Sequence, residues 1–381
     1  MGFYDNLLDD SHRLIRDTCR RFALKEIAPH AHEWEEAEAF PRELYSKAAA
    51  EGLLGISFPE EVGGSGGDHL HMVMYIEGML SGGSSGVVAG LSSCGIALPP
   101  IVQTGDKALI DRFVRPTLRG EMIGALGITE PGTGSDVSAV RTRAVRDGDE
   151  YVVTGSKMFI TSGVRADLLT TLVRTSDDPH GGLTFLVIEM DRPGVSISRA
   201  LKKTGWRASD TAEIALDEVR VPVANRLGAE GSAFVTLMRN FQVERLSLAA
   251  YGSATADLAL QEATRYARER TAFGKTLTGF QVTRHKLVDM ATRVIAAKTL
   301  VYQVATRMAA GQSCVSEVSM AKNLCAETAV SVTYDAVQIH GGMGYMRETL
   351  VERLSRDARL LPIGGGTQEI MKEIVAKTLG I

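Results

Sequence analysis

Hydrophobic positions recur along this chain with two different periods, which divide it into three regions. From residue 5 to about 120, apolar residues return at steps of three and four, a spacing typical of amphipathic helices. Between about 122 and 228 they are grouped in short runs such as LLTTLVR and LTFLVIEM, which predict strands. From Gly231 the helical period resumes in long segments that contain few breakers. The helical pattern at the start of the chain consists of Leu7, Leu8, His12, Leu14, Ile15 and Cys19, which recur at three- and four-residue steps.

The order of helices, strands and helices, without repeats or low-complexity tracts, indicates one catalytic unit built from three domains. We predict a mainly α fold with a central antiparallel β domain. Its parts are an N-terminal helical domain (1–121), the β domain (122–229) and a C-terminal helical bundle (230–381). Asp147 and Gly148 are predicted to form a hairpin turn. No G-x-G-x-x-G run opens a helix in the β domain, so a dinucleotide bound there lies outside a Rossmann crevice.

Composition and charge exclude several classes of protein. The 381 residues are 44% hydrophobic and 23% charged, with a net charge of −4, which is too weak for nucleic-acid or anionic-membrane binding. No apolar run approaches the roughly twenty residues of a membrane span. The four cysteines are widely scattered, which favours reduced thiols over structural zinc. The N-terminus has no signal or transit pattern, so we expect a protein of the bacterial cytoplasm rather than of an organellar matrix, although a processed organellar protein is the alternative. No set of residues has metal-ligand spacing, so no metal site is predicted.

One carboxylate, Glu244, lies on a predicted apolar helix face. It follows Phe241 by three residues and precedes Leu248 by four, so the three side chains share one side of the helix. Burial raises the pKa of such a carboxyl group, which suits a general base. A structural ion pair with a neighbouring arginine explains the same pattern, and this segment alone leaves both interpretations open.

Glycine-containing motifs near the C-terminus offer possible ligand sites. The run Gly364 to Gly366 directly precedes Thr367 and a predicted helix, where backbone amides can donate to an oxyanion or a phosphate. A flexible helix entry is the alternative. The run ARERTAFGK combines cations with Phe273 and can hold a pyrophosphate, although a solvated helix end is the usual explanation. His340, beside a glycine turn, is interpreted as a structural histidine.

Five motifs occur in a specific order and at specific distances: ITEPGTGSD, GSKMFITSG, RERTAFGK, QIHGGMGY and IGGGTQEIM. With them, over essentially its whole length, the chain resembles the acyl-CoA dehydrogenase family, and most closely its isovaleryl-CoA and long-chain types. The resemblance implies a homotetramer with FAD between subunits. It also implies α,β-dehydrogenation of an acyl-CoA thioester to the trans-2-enoyl-CoA. A carboxylate would remove the pro-R α-proton, the β-hydride would pass to flavin N5, and the electrons would leave through an electron-transfer flavoprotein.

The resemblance also assigns residues to the cofactor. Thr129 and Thr161 would hydrogen-bond the flavin edge, and Phe159 would cover one ring face where many relatives have Trp. Residues of the third and fourth motifs would reach the FAD of a neighbouring subunit. The complete implied FAD set is Ile128, Thr129, Ser135, Phe159, Thr161, Arg270, Phe273, Gln281, Gln338, Gly342, Thr367 and Glu369.

The resemblance places the catalytic base at one of two positions. Many family members have Glu immediately before the Gly-Thr of the last motif, but this chain has Gly365 there. Isovaleryl-CoA and long-chain enzymes have the base in an E-R-L sequence on a helix of the third domain, which Glu244 begins here. We therefore predict Glu244 as the base. The Gly365 amide and a ribityl hydroxyl of FAD would polarise the thioester carbonyl.

The substrate is predicted to be a branched or medium-to-long acyl-CoA, isovaleryl-like or citronellyl-like. Gly364 stands where straight-chain enzymes commonly have Tyr, which leaves room for a methyl branch beside the β-carbon. A glycine that only shapes the backbone is the alternative. Ala89 and Ser92 are expected near the far end of the acyl pocket, Ser135 at the pantetheine and Arg245 at CoA. The complete implied substrate set is Ala89, Ser92, Ser135, Gln242, Val243, Arg245, Gly364 and Gly366.

Two competing functions remain for this resemblance. An acyl-CoA oxidase returns electrons to oxygen, but its usual additional C-terminal domain does not follow the IGGGTQE motif here. A flavin-binding protein of the same fold that has lost turnover and binds nucleic acid is the other alternative, and the mild net acidity weighs against it.

Overall fold

The computed structural model describes residues 7–381 and shows helices, then a sheet, then helices along the chain. Residues 1 to 6, which the predicted N-terminal domain includes, lie outside the described residues. The helices of the first region are α1 (Asp10–Phe22), α2 (Ala31–Ala37), α3 (Glu43–Ala50), α4 (His69–Leu80), α5 (Ser85–Leu91), α6 (Cys94–Ala97), α7 (Pro99–Val102), α8 (Lys107–Leu109) and α9 (Arg115–Leu118), with π-helical turns at Ala23–Ile27 and Ile110–Val114.

Helix α1 shows where the hydrophobic pattern is an imperfect guide. Its buried face contains His12, Cys19 and Phe22, as the three- and four-residue spacing requires. Leu14 belongs to the same repeating pattern, but 62% of it is exposed. It departs from the buried face because it is two residues beyond His12, about 200° around the helix, and therefore on the opposite side.

The middle region forms one sheet of eight strands among the described residues. The sheet is mainly antiparallel, as predicted, but β2 makes one parallel pair with β4, and β1 pairs with β4 in parallel along its length. Parallel pairing is possible because a long connection, which contains β2 and β3, joins the ends of these two strands. The strand order is β6-β7-β3-β2-β4-β5-β8, with β1 beside β4. The strands are β1 (Gly124–Gly127), β2 (Arg143–Asp147), β3 (Glu150–Thr161), β4 (Leu168–Arg174), β5 (Leu183–Glu189), β6 (Val195–Ala200), β7 (Thr211–Pro222) and β8 (Arg226–Leu227).

The hairpin between β2 and β3 is present, but its turn is displaced by one residue from the prediction. Asp147 pairs with Glu150, so the two turn residues are Gly148 and Asp149. Gly148 has a φ of +63°, a conformation that glycine adopts without steric cost. A glycine at the first turn position is typical of one of the two favoured hairpin turns.

The last region is a helical bundle built on one long helix. Gly252 of α10 (Ala233–Glu269) lies against the backbone of Cys325, where a Cβ atom would come within 2.7 Å of the carbonyl oxygen. Long helices α10 and α12 therefore approach each other closely. The other elements of this region are β9 (Thr271–Ala272), β10 (Lys275–Thr276), α11 (Gln281–Ala309), α12 (Val315–His340), α13 (Leu350–Ala358) and α14 (Gln368–Leu379).

A buried carboxylate, Glu35 of α2, lies where the three regions meet. Its Oε1 accepts a hydrogen bond from the Ser84 hydroxyl at 2.7 Å, and its carboxylate also accepts from the backbone amides of Arg207 and Ala208. Arg356 of α13 lies 3.5 Å from Glu35. Glu35 thus connects the first helices, the sheet domain and the C-terminal bundle.

The described part of the chain, residues 7 to 381, has no single helix with the length and apolar character of a membrane span. Only the bent pair Ser85–Leu91 and Cys94–Val102 reaches those limits together, and does so by length and composition alone. All four cysteines are buried with free thiols.

Candidate active site

A cavity of about 300 Å³ lies between the N-terminal helices and α10, and we call it the central cavity. Glu244 lines it from α10, together with Val243 and Ser247. The lining is mostly apolar, which is typical of a site for a small organic ligand. Other lining residues are Leu53, Leu54, Ile56, Phe58, Met72, Tyr75, Ile76, Leu91, Ser92, Cys94, Ile96, Val102 and Tyr251.

The structure brings Glu244 and Gly365 together, although 121 positions separate them in the sequence. A Cβ atom added to Gly365 would lie 3.6 Å from Oε1 of Glu244, and it would overlap the side chain of Leu248. Gly365 also has a φ of +63°, which favours glycine. A carboxylate from α10 therefore occupies the space toward which a side chain at position 365 would point.

Among residues 7–381, no hydrogen bond or ion pair reaches the Glu244 carboxylate, so the ion-pair alternative is wrong for this residue. Protein surrounds the carboxylate closely, although the central cavity leaves part of its surface accessible. Burial raises the pKa of Glu244, and the positive charges of Arg245 and Lys322 only partly oppose this effect. A raised pKa suits a carboxyl group that must both take up and release a proton.

Lys322 of α12 is a site residue that the sequence analysis missed. It is only 1% exposed, and its Nζ donates a hydrogen bond of 2.6 Å to the carbonyl oxygen of Gly366. Burial, reinforced by Arg245, lowers its pKa to about 8, and Glu244 and Glu369 oppose that shift. The lysine fixes the backbone beside Gly365 and adds a positive charge near Glu244. A lysine among apolar residues in the middle of a helix was the available signal.

A second group of predicted residues lies along the start of the β domain. Between Lys157 and Ile160, β3 contains a bulge relative to β7, which turns Phe159 outward. Phe159 has a φ of +61° and is 62% exposed. The carbonyl of Thr129 accepts from the Met158 amide at 2.8 Å, which places the ITEP segment beside this ring. Thr161 follows at the end of the strand.

This surface fits the flat ring system of a flavin. The bulge exposes one aromatic face, and Thr129 and Thr161 contribute polar groups beside it, so a planar group can both stack and hydrogen-bond. Ile128 is buried, with its carbonyl held by Lys157 at 3.2 Å. Ser135 is exposed in the turn that follows the ITEP segment.

Glu130 and Lys157 form a buried ion pair behind this surface, with Oε1 and Nζ 2.8 Å apart. Glu130 also accepts from the amides of Arg141 and Thr142. Burial alone would raise the pKa of Glu130, but Lys157 and these donors together lower it. Burial lowers the pKa of Lys157 to about 8, against the attraction of Glu130. The pair holds the ITEP segment onto β3.

The predicted residues of the third and fourth motifs lie far from Glu244. Arg270 ends α10, 26 residues after Glu244, which is roughly 40 Å along the helix. Phe273 in the β9–β10 hairpin is 96% exposed, and Gln281 begins α11. The last two residues of this group, Gln338 and Gly342, are exposed at the end of α12.

The other predicted residues fall into two groups. Thr367 caps α14 through its hydroxyl, and Glu369 is exposed in the first turn. Gly364 faces open space, with only Leu360 atoms 3.8 Å from an added Cβ. Arg245 is buried beside the ring of Phe241 rather than on the surface. Gln242 donates to the Met238 carbonyl and does not line the central cavity.

One of the two predicted acyl-pocket residues is displaced. Ser92 lines the central cavity, whereas Ala89 does not. Helix α5 ends at Leu91, so Ser92 belongs to the bend that follows, while Ala89 is packed inside the helical domain. His340 is buried, with Nδ1 2.8 Å from the Ala336 carbonyl and its ring stacked on Tyr266.

Three side chains with metal-ligand chemistry meet at the start of α4, where no metal was predicted. His12, Asp68 and His71 have potential ligand atoms within 4.8 Å of one another. Helix capping accounts for this arrangement, because Asp68 accepts from the amides of Leu70 and His71.

Comparison with known proteins identifies the family. Three domain models match in order: "Acyl-CoA dehydrogenase, N-terminal domain" at residues 9–121, the middle domain at 125–219 and the C-terminal domain at 232–380. An acyl-CoA dehydrogenase of Bacillus subtilis is 38% identical over 368 residues, covering 96% of this chain and 97% of that protein. The mouse mitochondrial long-chain specific acyl-CoA dehydrogenase is 36% identical, covering 98% and 87%. The Acetobacterium woodii caffeyl-CoA reductase-Etf complex subunit CarC is 36% identical, covering 97% and 98%.

Solved structures agree with these matches. A probable acyl-CoA dehydrogenase from Mycobacterium abscessus has a TM-score of 0.97 and 53% identity, covering 98% of this chain and 100% of that one. A glutaryl-CoA dehydrogenase from Mycobacterium smegmatis, solved in complex with FADH2, has a TM-score of 0.93 and 27% identity, covering 99% and 96%. With its three domain matches and the flavin-compatible surface at Phe159, the chain belongs to the acyl-CoA dehydrogenase family of FAD-dependent oxidoreductases.

Proposed function

We propose that Glu244 is the base that removes the α-proton of an acyl-CoA thioester, which is converted to the trans-2-enoyl-CoA. The observation that carries this proposal is the position of its Oε1, which lies 3.6 Å from a Cβ built on Gly365 and borders the central cavity. Many family members have their catalytic Glu at that place in the last motif. The α-proton passes to the Glu244 carboxylate, and the β-hydrogen leaves as a hydride. FAD, when bound, supplies the hydride acceptor.

An α-proton of a thioester is too weakly acidic for a carboxylate to remove unaided, so the developing negative charge on the carbonyl oxygen needs a donor. The Gly365 backbone amide is available for this role because its φ of +63° and the Lys322 contact to Gly366 fix the loop. The cationic charges of Lys322 and Arg245 near Glu244 favour the carboxylate form of the base before proton removal.

The proposed acyl chain is branched or of medium to long length. Gly364 leaves open space where a ring would otherwise stand, and the central cavity of about 300 Å³ accepts a chain of several carbons. The mouse relative is named long-chain specific, which supports the longer end of this range.

The proposed electron acceptor is an electron-transfer flavoprotein. The Acetobacterium woodii relative is named as a subunit of a complex with Etf, which supports this choice over oxygen. An oxidase is the competing function, and air oxidation of the reduced flavin distinguishes the two.

The proposed assembly is a homotetramer with FAD bound between subunits. Arg270 and Phe273 lie roughly 40 Å from Glu244 along α10, too far to contact a flavin ring beside Glu244 of the same chain. The large exposed ring of Phe273 is typical of a contact with another chain.

The test is an anaerobic titration of the holoenzyme with straight and branched acyl-CoAs, measured as loss of flavin absorbance. Wild-type protein should bleach with its preferred chain, whereas Glu244→Gln should bind the same thioester without bleaching. Glu262→Gln, on the same helix but outside the cavity, is the matched control. Normal bleaching by Glu244→Gln would remove Glu244 from the role of base. Rapid peroxide formation in air would favour the oxidase, and salt-sensitive duplex binding without bleaching would favour the non-turnover protein.

A further inference from the structure

Three hydroxyl groups meet on the otherwise apolar wall of the central cavity: those of Tyr75 from α4, Ser92 after α5 and Tyr251 from α10. We call them the hydroxyl cluster. The Ser92 hydroxyl donates to the Tyr75 oxygen at 3.3 Å. Ser92 is also close enough to Tyr251 to oppose the rise of its pKa caused by burial, although the two hydroxyls do not reach hydrogen-bond geometry. The cluster therefore has unused hydrogen-bonding capacity.

Tyr251 has a buried hydroxyl without a hydrogen-bond partner in the part of the chain that the structure describes, which needs a physical explanation. It is only 4% exposed, its ring packs on Trp206 with centroids 5.1 Å apart, and its hydroxyl has no partner among the described residues. A buried hydroxyl without a protein partner is costly, so it is expected to pair with a bound water or with a ligand. Tyr75 accepts from Ser92, and among the described residues no hydrogen bond is donated by the Tyr75 hydroxyl, so its proton is free for a ligand.

The cluster has a defined position relative to Glu244. Tyr251 follows Glu244 by seven residues on α10, so the two lie on the same face about 10 Å apart along the axis. Both line the central cavity. A group bound by the cluster is therefore several carbons beyond the carbon that loses its proton.

The charges around the cavity indicate whether a ligand group at the hydroxyl cluster is charged or neutral. No Lys or Arg is found among the described residues that line it. His69 also lines the cavity, and burial lowers its pKa, which favours the neutral ring. Asp68 contributes a negative charge that is held by the start of α4. A second carboxylate on the ligand would therefore have no cation to pair with.

We propose that the hydroxyl cluster binds an uncharged oxygen on the acyl chain, such as a hydroxyl, ketone or phenol oxygen, about 10 Å from the reacting carbons. This inference rests on the proposed function, since it takes the ligand of the cavity to be the acyl-CoA. The preferred substrate is then an oxygenated acyl-CoA rather than a plain hydrocarbon chain, and an acyl chain that ends in a carboxylate is disfavoured.

The test measures affinity separately from turnover. Calorimetry on the Glu244→Gln holoenzyme compares three CoA thioesters of matched length: a plain chain, the same chain with a ketone at the stated distance, and one ending in a carboxylate. We expect the ketone to bind about tenfold more tightly than the plain chain, and the carboxylate to bind least well. Adding Tyr251→Phe or Tyr75→Phe should reduce the preference for the ketone to twofold or less, while affinity for the plain chain is kept.

A matched control is Tyr151→Phe, which removes a tyrosine hydroxyl that donates to Glu230 in the β domain, outside the cavity. It should keep the full preference. Should Tyr251→Phe fail to fold, Ser92→Ala tests the same cluster. Equal affinities for the ketone and plain chains, or tightest binding of the carboxylate, would overturn the inference. Flavin bleaching by the wild-type holoenzyme with any of the thioesters reports on the proposed function independently.

Discussion

Two glutamates inside this protein differ in their partners and in the direction of their pKa shifts. Glu130 at the start of the β domain has a lysine 2.8 Å away and two backbone amides on its oxygens, and its pKa is lowered. Glu244 on α10 has no hydrogen-bond or ion-pair partner among residues 7–381, and its pKa is raised. The first arrangement stabilises the fold. The second leaves the carboxylate available to a ligand.

The difference shows how a carboxylate can be assigned from structure when the sequence pattern allows either interpretation. Satisfied donors and an opposite charge favour a fixed ionised group, whereas burial without partners favours a group that exchanges protons. The same difference predicts opposite effects of pH on stability. Glu130 stabilises the folded state above its unfolded pKa and loses this contribution as pH falls through its lowered pKa. Glu244 favours the folded state at low pH and loses that contribution as pH rises through its raised pKa.

The largest expected effect is on activity, when the carboxylate is removed from position 244 and introduced at position 365. Glu244→Gly should lower the rate of flavin reduction by about 10³-fold, because proton removal then has no acceptor. The triple variant Glu244→Gly/Leu248→Ala/Gly365→Glu places a carboxylate from the other side and removes the overlap with Leu248. Stopped-flow measurement should show recovery of at least about tenfold over the single variant. Leu248→Ala alone is measured as the control for the change at that position. If the triple variant recovers no flavin reduction, positions 244 and 365 do not reach the same carbon.

The next effect is on stability and concerns the other glutamate. Lys157→Met should lower the free energy of unfolding by about 3 kcal/mol, because it leaves Glu130 buried without its counter-charge. Glu244→Gln should stay within about 1 kcal/mol of wild type, since no pair is broken. Denaturant titration monitored by circular dichroism measures both. Equal losses in the two variants would contradict the distinction between a structural and a catalytic carboxylate.

A smaller effect is expected from a methyl group in the glycine loop. Gly365→Ala introduces a Cβ that overlaps Leu248 at a backbone conformation unfavourable for alanine, and should reduce kcat by about tenfold, an effect of about 1 to 2 kcal/mol. Gly364→Ala, directly before Gly365 and facing open space, is the matched control and should change kcat for a straight-chain thioester, which needs no room for a branch, by less than about twofold. Similar losses in both variants would indicate that the loop is sensitive to any side chain.

The smallest effect is a displacement of the pH profile. Because Glu244 must be ionised to accept a proton, kcat/KM should rise with pH through its raised pKa. Lys322→Met removes a cation that lowers this pKa, so the acidic limb should move to higher pH, whereas Lys322→Arg should keep the wild-type limb. A profile unchanged in Lys322→Met would show that Lys322 acts only through its contact with Gly366.

The sequence was sufficient for the fold class and for the pairing of Glu244 with the glycine loop as a hypothesis. Helical and strand periods predict the three regions because burial repeats with the geometry of each element. The position of Leu14 and the turn at Gly148 and Asp149 were not predicted, since both depend on one-residue differences in phase. The parallel strand β1 carries no local signal, because strand direction depends on the long connection rather than on β1 itself.

Contacts between distant segments were the least predictable part of the site. Lys322 meets Gly366 across 44 positions, and Tyr251 joins Tyr75 and Ser92 from another domain. No periodicity encodes such meetings, because they follow from how α10, α12 and the N-terminal helices pack. Ala89, which the resemblance places near the far end of the acyl pocket, is packed inside the helical domain two residues before α5 ends.

Glu35 has a consequence for how the molecule melts. Its carboxylate accepts from loop amides of the sheet domain and lies 3.5 Å from Arg356 of the bundle, so detachment of any one domain would break buried polar contacts that the other domains share. The domains are therefore expected to separate and unfold together, in one transition. Differential scanning calorimetry should record a single cooperative endotherm, and limited proteolysis should release no stable single-domain fragment.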